Sequence, residues 1–328
     1  MRSIGVAMKA LALLVFIPLQ LLFVPVAIVG LALATYKQLL ISKRLGVSQT
    51  GIDVMSGRWT MHVFGMRKDE ATVRMASVLP NYSPLGMWMV LFPLWVYSRI
   101  AGENSFYPRQ VAPGQEDIRD LVTARTRYFD SIIERRMPDV EQFVVMGAGY
   151  DTRCYGGLRA GPQRFIEADA EATQQVKTAA LADAGLDTAS VTFVTVDFEK
   201  EDTFERLEAA GYDASKKTLF LWEGVTLYLT EESVRRGLRD MKQHAAPGSV
   251  IVADVYGERF TAVAKSGAAK KALELTDEAL GFSLPFEQDH EARLRSFVES
   301  EGLQVGEANF MGTYDKRGPF MVVAEIVT

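Results

Sequence analysis

A glycine-rich turn directly after a hydrophobic run is the part of this sequence best suited to bind a ligand. The run from Phe143 to Met146 leads into Gly147 and Gly149, which one alanine separates. Glycines adopt backbone conformations that other residues avoid, and they let a ligand approach the main chain closely. A tight strand-to-helix turn needs such glycines even without a ligand. The turn therefore predicts a binding site only if other residues support it.

Acidic residues at the ends of the next two hydrophobic runs give that support. Asp169 lies 20 residues after Gly149, and an acid at this point can accept hydrogen bonds from both hydroxyls of a ribose. Asp197 and Phe198 follow the third run, where a carboxylate beside an aromatic ring suits an adenine. Each position alone is explained by a solvated strand end. Together, in this order, they predict a nucleoside-containing ligand.

These positions require parallel strands that end at one edge of a sheet. From about Asp117 onward, short apolar runs alternate with amphipathic stretches, which is typical of βαβ units. We predict a helix over 118–136, strands over 142–146, 164–168, 191–196, 218–222 and 249–255, and helices near 170–184 and 231–244. A helix near 289–301 and a hairpin of 303–310 and 320–327 follow. The prediction is a doubly wound α/β fold with a seven-stranded, mostly parallel sheet and one antiparallel strand.

Five sequence blocks resemble the leucine carboxyl methyltransferase-like family, which includes many bacterial O-methyltransferases. The blocks are Ala124–Asp130, Gly147–Arg153, Glu167–Asp169, Val196–Phe198 and Trp222–Leu229, with a weaker similarity at Val47–Gly51. They occur in the family's order and cover roughly Gly114 to the C-terminus. The resemblance implies a class I methyltransferase with a Rossmann-like fold that uses S-adenosyl-L-methionine.

The resemblance also implies roles for the residues in these blocks. Arg125 is expected to pair with the methionine carboxylate of the cofactor, although Arg127 is a close competitor, and Glu223 is expected to lie beside the amino group. Tyr228 is a candidate for contact with the substrate or, alternatively, a core aromatic. The remaining cofactor-binding positions are Gly147 and Gly149 for close backbone approach, Asp169 for the ribose, and Asp197 with Phe198 for the adenine.

Methyl transfer from a sulfonium is an in-line displacement that needs alignment in a dry site and no nucleophilic side chain. A carboxylate acceptor is ionised at neutral pH, whereas an alcohol or a phenol profits from a general base. No histidine lies near the predicted cofactor loops, although an aspartate or glutamate could act as a base. We therefore predict O-methylation of a carboxylate or hydroxyl on a small or lipid-like acceptor, with no catalytic residue assigned.

Two other functions remain open at this stage. An NAD(P)-dependent oxidoreductase has a related glycine turn, but its third small residue is replaced here by Thr152. A non-catalytic membrane-anchored scaffold would show a degraded cofactor site, and none of the five blocks looks degraded. The methyltransferase prediction is therefore preferred to both.

The composition is that of a folded protein, with 48% apolar and 23% charged residues among 328. A net charge of −5 argues against a nucleic-acid partner. Because Cys154 is the one cysteine and the three histidines are scattered, neither an intrachain disulfide nor a metal site is predicted. The sequence does not indicate an oligomeric state.

The N-terminal segment is long enough and apolar enough to cross a membrane. Ala10 to Tyr36 contains 27 residues without a charge, and about 20 apolar residues span a bilayer core. We predict a transmembrane or anchoring helix over 1–36. A signal peptide is the less favoured alternative, and Pro18 and Pro25 also permit a re-entrant hairpin.

A second charge-free stretch, Val78 to Ser98, carries Trp88 and Trp95 and suits a membrane interface. We predict a helical linker or lid over 37–116 that includes this interfacial segment at 78–98, a methyltransferase domain over 117–328, and a lid insertion at 256–288. A buried helix pair that covers the substrate is the alternative to a membrane-bound segment. Basic residues between Lys37 and Arg74, together with the cytosolic origin of the cofactor, predict a cytoplasmic catalytic domain.

Overall fold

The computed structural model describes residues 2–156, 161, 163–264 and 280–328. In this part of the chain a seven-stranded sheet has the order β3-β2-β1-β4-β5-β7-β6. The strands are β1 (Gln142–Met146), β2 (Arg164–Asp169), β3 (Val191–Thr195), β4 (Thr218–Trp222), β5 (Val250–Tyr256), β6 (Gln304–Met311) and β7 (Met321–Val327). The strand β7 is antiparallel to both of its neighbours. The predicted fold class and the antiparallel final hairpin are confirmed.

The strand order reverses beside β1, which pairs in parallel with β2 on one side and with β4 on the other. Open α/β sheets bind ligands at such a reversal, because the loops on the two sides diverge there. All five residues of β1 are buried, as expected for a central parallel strand that is covered on both faces. The glycine turn predicted as a binding site begins directly after this strand.

Helices pack on both faces of the sheet and lie close to the predicted positions. After an N-terminal helical layer, they are α6 (Leu121–Arg136), α7 (Glu171–Asp183), α8 (Thr203–Ala209), α9 (Glu231–Gln243), α10 (Glu258–Ala264) and α11 (His290–Glu299). A 3-10 turn at Ile118–Asp120 precedes α6 and is capped by Asp117.

The predicted lid at 256–288 lies partly outside the described residues, which omit 265–279. Within the described part, Phe282, Leu284 and Phe286 are buried in the same core cluster as Ile251 and Val322. The backbone of Leu284 also bridges Gly257 next to β5. These residues contribute to the domain core, and the lid assignment for the segment stays a prediction.

The N-terminal layer contains five helices. They are α1 (Arg2–Thr35), which continues through a π-helical turn (Tyr36–Ile41) into α2 (Ser42–Leu45), then α3 (Gln49–Val63), α4 (Glu70–Val78) and α5 (Pro84–Ala101). Pro18 and Pro25 lie inside α1 without ending it, so the structure has a single helix where a re-entrant hairpin was an alternative. By length and composition, the helical stretch Gly5–Leu45 could cross a membrane.

The helix α5 lies between α1 and the rest of the domain. On one side, Trp88 of α5 meets Trp59 of α3 edge to face, at 5.8 Å between ring centroids. On the other side, Phe92 of α5 stacks on Phe23 of α1 at 5.2 Å. The backbones of α1 and α5 approach closely at Gly30, where an added Cβ would lie 2.7 Å from the carbonyl oxygen of Gly86. The predicted interfacial segment at 78–98 therefore packs on the domain.

Candidate active site

A cavity of about 420 Å³ opens at the C-terminal ends of β1, β2 and β4. Its lining is mostly apolar and includes Val54, Met55, Leu121 and Phe260. Seven of the eight residues predicted from the sequence to contact the cofactor or the substrate line this single cavity: Arg125, Gly147, Gly149, Asp169, Phe198, Glu223 and Tyr228. The fold thus brings together positions that are spread over a hundred residues of sequence.

The glycine turn is constrained at each glycine for a different reason. Gly147 has φ +71°, and a Cβ there would lie 2.5 Å from Cγ2 of Val225. Gly149 has φ +45°, but a Cβ there would meet no protein atom closer than 3.9 Å. Gly147 is therefore required by packing and conformation. At Gly149 the protein leaves open space beside the backbone, as close approach of a ligand requires.

A buried ion pair lies against the glycine turn and contacts its backbone. Lys177 of α7 lies with its Nζ 2.7 Å from a carboxylate oxygen of Glu167 on β2 and donates to the carbonyl oxygen of Ala148 at 3.5 Å. Both charged side chains are almost fully buried. The pair was missed in the sequence analysis, because a lysine within an amphipathic helix is usually solvated.

Asp169 lies at the end of β2 with its carboxylate against the turn. It accepts hydrogen bonds from the backbone N–H of Gly149 and, at 2.6 Å, from that of Ala170. Burial raises the pKa of Asp169, and these two N–H groups partly offset the rise. A carboxylate oxygen has room for more than one donor. Asp169 is therefore placed to accept ribose hydroxyls while it also shapes the turn.

Arg125 and Glu223 face each other across the inner end of the cavity. Nη2 of Arg125 lies 3.3 Å from Oε1 of Glu223. Among the described residues neither atom has a partner with hydrogen-bond geometry, although both are buried. The two atoms thus form an ion pair without a well-aligned hydrogen bond, and each keeps hydrogen-bonding capacity that is costly to leave unused in a buried site. A ligand that carries a carboxylate and an ammonium group would satisfy both atoms, as the expected cofactor does.

Arg125 rather than Arg127 faces the cavity. Arg127 lies over the ring of Tyr128, at 6.0 Å from the ring centroid, and lines a separate polar groove. The helix α6 turns by 100° per residue, so positions 125 and 127 lie on different faces. Of the two arginines that the sequence motif left open, Arg125 is the one that lines this cavity, and its contact with a cofactor stays a prediction.

The carboxylate of Glu223 is held by two further arginines that sequence reasoning missed. Arg58 of α3 and Arg153 after the glycine turn each donate to Oε2 of Glu223 at 2.7 Å. Both also pair with Asp151. Burial opposes ionisation of Glu223, but the charges of Arg58, Arg153 and Arg125 outweigh it and lower the pKa of this carboxyl. Glu223 is therefore ionised and firmly positioned.

The position of Asp151 and Arg153 inside the motif Gly147–Arg153 was the one signal that could have identified this network. Burial opposes the ionisation of Asp151 as well, yet the neighbouring Arg153 and Arg58 hold its pKa well below the usual range. Nothing in the local sequence distinguishes Arg58 from a solvated arginine, because its partners lie 93 and 165 residues away.

Asp254 and Tyr256 at the end of β5 complete the surroundings of Arg125. The guanidinium Nη1 donates to Oδ2 of Asp254 at 3.1 Å and also to the hydroxyl of Tyr256. The backbone N–H of Gly224 donates to Asp254 at 2.9 Å. Burial raises the pKa of Asp254 to about 6, although the charge of Arg125 acts in the opposite direction. Sequence reasoning missed this carboxylate, because it lies inside an apolar strand.

Asp197 is the one predicted residue whose side chain does not line the cavity. Its carboxylate is about 43% exposed and pairs with Lys200 at 2.8 Å. It also accepts from the backbone N–H of Glu199 at 3.1 Å. The neighbouring Phe198 does line the cavity. Contact between Asp197 and an adenine stays a prediction.

The outer part of the cavity is formed by the start of α3. The hydroxyl of Tyr228 donates to that of Thr50 at 2.7 Å, and Ser48, Gly51 and Val54 line the wall beside it. The weak sequence similarity at Val47–Gly51 thus coincides with this wall. Tyr228 therefore lies at the cavity surface, where contact with an acceptor is possible.

Comparison with known proteins identifies a family that the chain resembles. Residues 93–242 match the family profile described as leucine carboxyl methyltransferase, so the family resemblance is confirmed over this segment. A relative from Mycolicibacterium vanbaalenii is 32% identical over 146 residues, which cover 43% of this chain and 47% of that protein. A relative from Bacillus subtilis is 33% identical over 157 residues, which cover 46% of this chain and 51% of that protein.

Both relatives are named as predicted S-adenosyl-L-methionine-dependent methyltransferases. The matched segment spans about half of the length of each. Among solved structures, a predicted methyltransferase from Thermobifida fusca superposes with a TM-score of 0.46 at 10% identity, over 78% of this chain and 92% of that one.

Proposed function

We infer, from the leucine carboxyl methyltransferase match over residues 93–242 and from the geometry of the cavity, that this chain is an S-adenosyl-L-methionine-dependent methyltransferase. The observation that carries the proposal is the buried ion pair of Nη2 of Arg125 and Oε1 of Glu223, which has no well-aligned hydrogen bond and lies in the same cavity as Asp169. One end of the cavity thus fits an amino-acid zwitterion and another fits a ribose. S-adenosylmethionine has both groups, one at each side of its sulfonium.

Different residues of this chain would bind different parts of the cofactor. Arg125 and Glu223 would hold the methionine carboxylate and amino group, Asp169 the ribose, and Phe198 the adenine, with Asp197 as a further candidate there. When bound, the cofactor supplies an electrophilic methyl group. Gly149 leaves the backbone open where the ligand must pass closest. The apolar wall of Val54, Met55 and Leu121 would exclude water from the site.

The acceptor is proposed to present a carboxylate or hydroxyl oxygen. None of the described residues that line the cavity is a histidine, and a carboxylate or an acidic hydroxyl needs the least help from a general base. Tyr228 and Thr50, which are hydrogen-bonded to each other, are the polar groups placed to orient such an oxygen. They are positioning candidates on the acceptor side.

Membrane attachment and a cytoplasmic catalytic domain complete the proposal. The 27 charge-free residues of Ala10–Tyr36 provide the apolar surface, and leucines such as Leu14 and Leu22 are exposed on it. The helical layer also reaches the cavity, because Gln38 donates to Asp53 of α3 at 2.6 Å and Asp53 lines the wall. An acceptor with an apolar tail is therefore favoured.

Isothermal titration of the detergent-solubilised full chain tests the methyltransferase assignment. S-adenosylhomocysteine carries the amino-acid part, whereas 5′-methylthioadenosine lacks its carboxylate and amino group. We expect Arg125→Lys and Glu223→Gln to weaken S-adenosylhomocysteine about 10-fold or more, the range for hydrogen bonds to charged groups, and to leave 5′-methylthioadenosine within about twofold.

The matched control is Arg127→Lys, which changes the same side chain two residues along α6 and should alter neither affinity. Equal losses for both ligands would mean that Arg125 and Glu223 do not hold the amino-acid part. Binding of NAD in place of either ligand would overturn the assignment in favour of an oxidoreductase.

A further inference from the structure

Both ends of α5 are attached to the catalytic domain. Trp88 near its start packs on Trp59 of α3. At its end, Nη2 of Arg99 donates to the carbonyl oxygen of Val63, the last residue of α3, at 3.3 Å. Directly beyond the helix, Asn104 donates to the carbonyl oxygen of Phe64 at 3.4 Å. The helix α5 therefore runs along the surface of the domain and cannot leave it at either end.

The helix α1 follows α5 in the antiparallel direction. Phe23 stacks on Phe92, and Phe16 meets Tyr97 at 5.7 Å between ring centroids. Near the N-terminus, Nζ of Lys9 pairs with Glu103 at 2.8 Å. Because contacts continue from Lys9 to Gly30, the axis of α1 also runs along the domain, with α5 between them.

The outer face of α1 is apolar and is not covered by any described residue. Leu14, Leu21, Leu22 and Ile28 are each between 64% and 72% exposed. The outer face itself carries no charge: Lys9 pairs with Glu103 and Lys37 donates to the carbonyl oxygen of Tyr82, both on the side of the domain, and Lys43 and Arg44 follow at the end of the helical stretch. An uncharged apolar face with basic residues beyond it suits a leaflet whose head groups are anionic.

We propose that α1 lies in the plane of the membrane as an interfacial helix, with its outer face in the acyl region and α5 with the catalytic domain beneath it. The proposal rests on the membrane attachment inferred above, and it replaces a crossing of the bilayer with a one-sided insertion. The N-terminus and the catalytic domain then lie on the same side of the membrane.

A crossing would disrupt contacts that the structure shows. If α1 crossed alone, it would have to separate from α5 and expose the face that carries Phe92 and Tyr97. If α5 crossed with it, Arg99 and the adjacent surface of α3 would enter the hydrocarbon, where charged and unsatisfied polar groups are costly. In-plane insertion retains every contact and buries the exposed leucines.

Labelling of single cysteines in cell membranes tests the orientation. Cys154 is fully buried, so the unchanged chain serves as the unlabelled background. Gly5→Cys places a thiol near the N-terminus, where nothing approaches within 4 Å, and Lys316→Cys places one on the exposed surface of the catalytic domain. A membrane-impermeant maleimide should label both in inverted vesicles and neither in intact cells. Labelling of the two from opposite sides would overturn the proposal.

Disulfide formation in the same membranes tests the packing of α1 on α5. Phe23→Cys with Phe92→Cys should form an intrachain disulfide on mild oxidation, because the native rings stack. The control Leu22→Cys with Phe92→Cys should not, because Leu22 points outward. No product from the first pair would mean that α1 leaves α5. Disulfide-linked dimers from the control would mean that a second copy covers the outer face, and this result also contradicts the proposal.

Titration of the same vesicles with S-adenosylhomocysteine distinguishes a failure of the in-plane proposal from a failure of the methyltransferase assignment. Opposite-side labelling with intact ligand binding would overturn the in-plane helix and leave the methyltransferase assignment standing. Recovery of the full chain without detergent would overturn the in-plane helix together with membrane attachment. Whatever the labelling result, loss of S-adenosylhomocysteine binding would contradict the proposed cofactor site.

Discussion

Two carboxylates, the partly buried Asp169 and the fully buried Asp254, have different roles in and beside the cavity. Asp169 faces the cavity and accepts from backbone N–H groups only. Asp254 lies behind Arg125 and shares it with Glu223. A ligand carboxylate that reaches Arg125 thus joins a guanidinium that two protein carboxylates already contact. A substitution at Asp169 should therefore change mainly ligand affinity, and one at Asp254 should change mainly the stability of the site.

Asp169→Ala is expected to weaken cofactor affinity by roughly 1.5 to 3 kcal/mol, because a charged acceptor for hydroxyl donors is lost. The measurement is titration with S-adenosylhomocysteine and with 5′-methylthioadenosine, and both should be affected, since both contain the ribose. Glu171→Gln is the control, because Glu171 is an exposed acid two residues away. A loss below tenfold would indicate another ribose ligand.

Gly149→Val is expected to abolish cofactor binding while the domain remains folded. No protein atom lies closer than 3.9 Å to an added Cβ, but a branched residue is strained at φ +45°. It would also occupy the space through which the ligand meets the backbone. Circular dichroism and titration measured on one sample distinguish the two effects. Unchanged affinity would show that the ligand does not pass this glycine.

The pKa of Asp254 predicts a dependence of stability on pH. Its folded value of about 6 exceeds its ordinary value of 3.8, because the carboxyl is buried. The folded state therefore binds the proton more tightly, and the stabilisation is present below the ordinary value and is lost as pH rises through the folded value. Relative to Asp254→Asn, the wild type should lose roughly 2 to 2.5 kcal/mol of unfolding free energy between about pH 4 and about pH 7.

Urea unfolding of the two proteins in detergent at several pH values measures this difference directly. The variant with asparagine cannot titrate at this position, so changes from all other groups cancel to a first approximation. A difference that stays constant over the range would mean that Asp254 is ionised throughout.

At the scale of the helices, the packing of α1 on α5 offers an explanation for the apolar surface of α1 that needs no membrane crossing. The helix α1 is apolar on all sides because one face contacts α5 and the other is proposed to contact lipid. Its 34 residues correspond to about 51 Å at the usual rise per residue, which is longer than a bilayer core needs. In the proposed in-plane arrangement, the pairing with α5, rather than the length, sets the orientation of the helix.

Gly30→Val is expected to destabilise the contact between α1 and α5 by roughly 1 to 3 kcal/mol, the range for overpacking. An added Cβ at Gly30 would lie 2.6 Å from Cβ of Met89, so the helices must separate there. Gly5→Val on the same helix is the control, because nothing lies within 4 Å of Gly5. Hydrogen exchange of α5 should increase in the first variant only. Equal exchange in both would contradict the close packing.

In the molecule as a whole, the N-terminal helical layer and the cavity meet at the start of α3. This segment lines the cavity through Ser48 and Thr50, and its Asp53 accepts a hydrogen bond from Gln38 of the N-terminal layer. A buried chain of Ser42, Asn81 and Tyr150 joins the same layer to the glycine turn, with hydrogen bonds of 3.1 and 3.0 Å. The proposed anchor and the candidate site thus belong to one packed structure.

The full chain is expected to sediment with membranes and to resist extraction by salt or alkali, because its contact is apolar rather than electrostatic. A chain that begins at Lys37 should be released by alkali while it keeps its affinity for S-adenosylhomocysteine, since the described residues that line the cavity begin at Ser48. Sedimentation followed by titration measures both properties. A full chain that is soluble without detergent would contradict the anchor.

The sequence by itself determined the parts of the fold and site that depend on local order. Alternating apolar runs and helices predicted the seven-stranded sheet, because each strand and helix has its own periodicity. The positions of Gly147, Gly149 and Asp169 were predictable because they lie at or directly after strand ends, and parallel strands end at one edge of the sheet. The family resemblance added Arg125 and Glu223 to them.

Only the tertiary structure decided which charges are buried together and where the apolar segments lie. Arg58, Asp151, Arg153 and Asp254 form the support of Arg125 and Glu223 through contacts between distant parts of the chain. No local pattern encodes such contacts, because a single arginine has the same sequence signature in solvent and in a network. The apolar stretch at 78–98 was also undecided by sequence. Its hydrophobicity shows that it avoids water, but only its packing shows whether protein or lipid covers it.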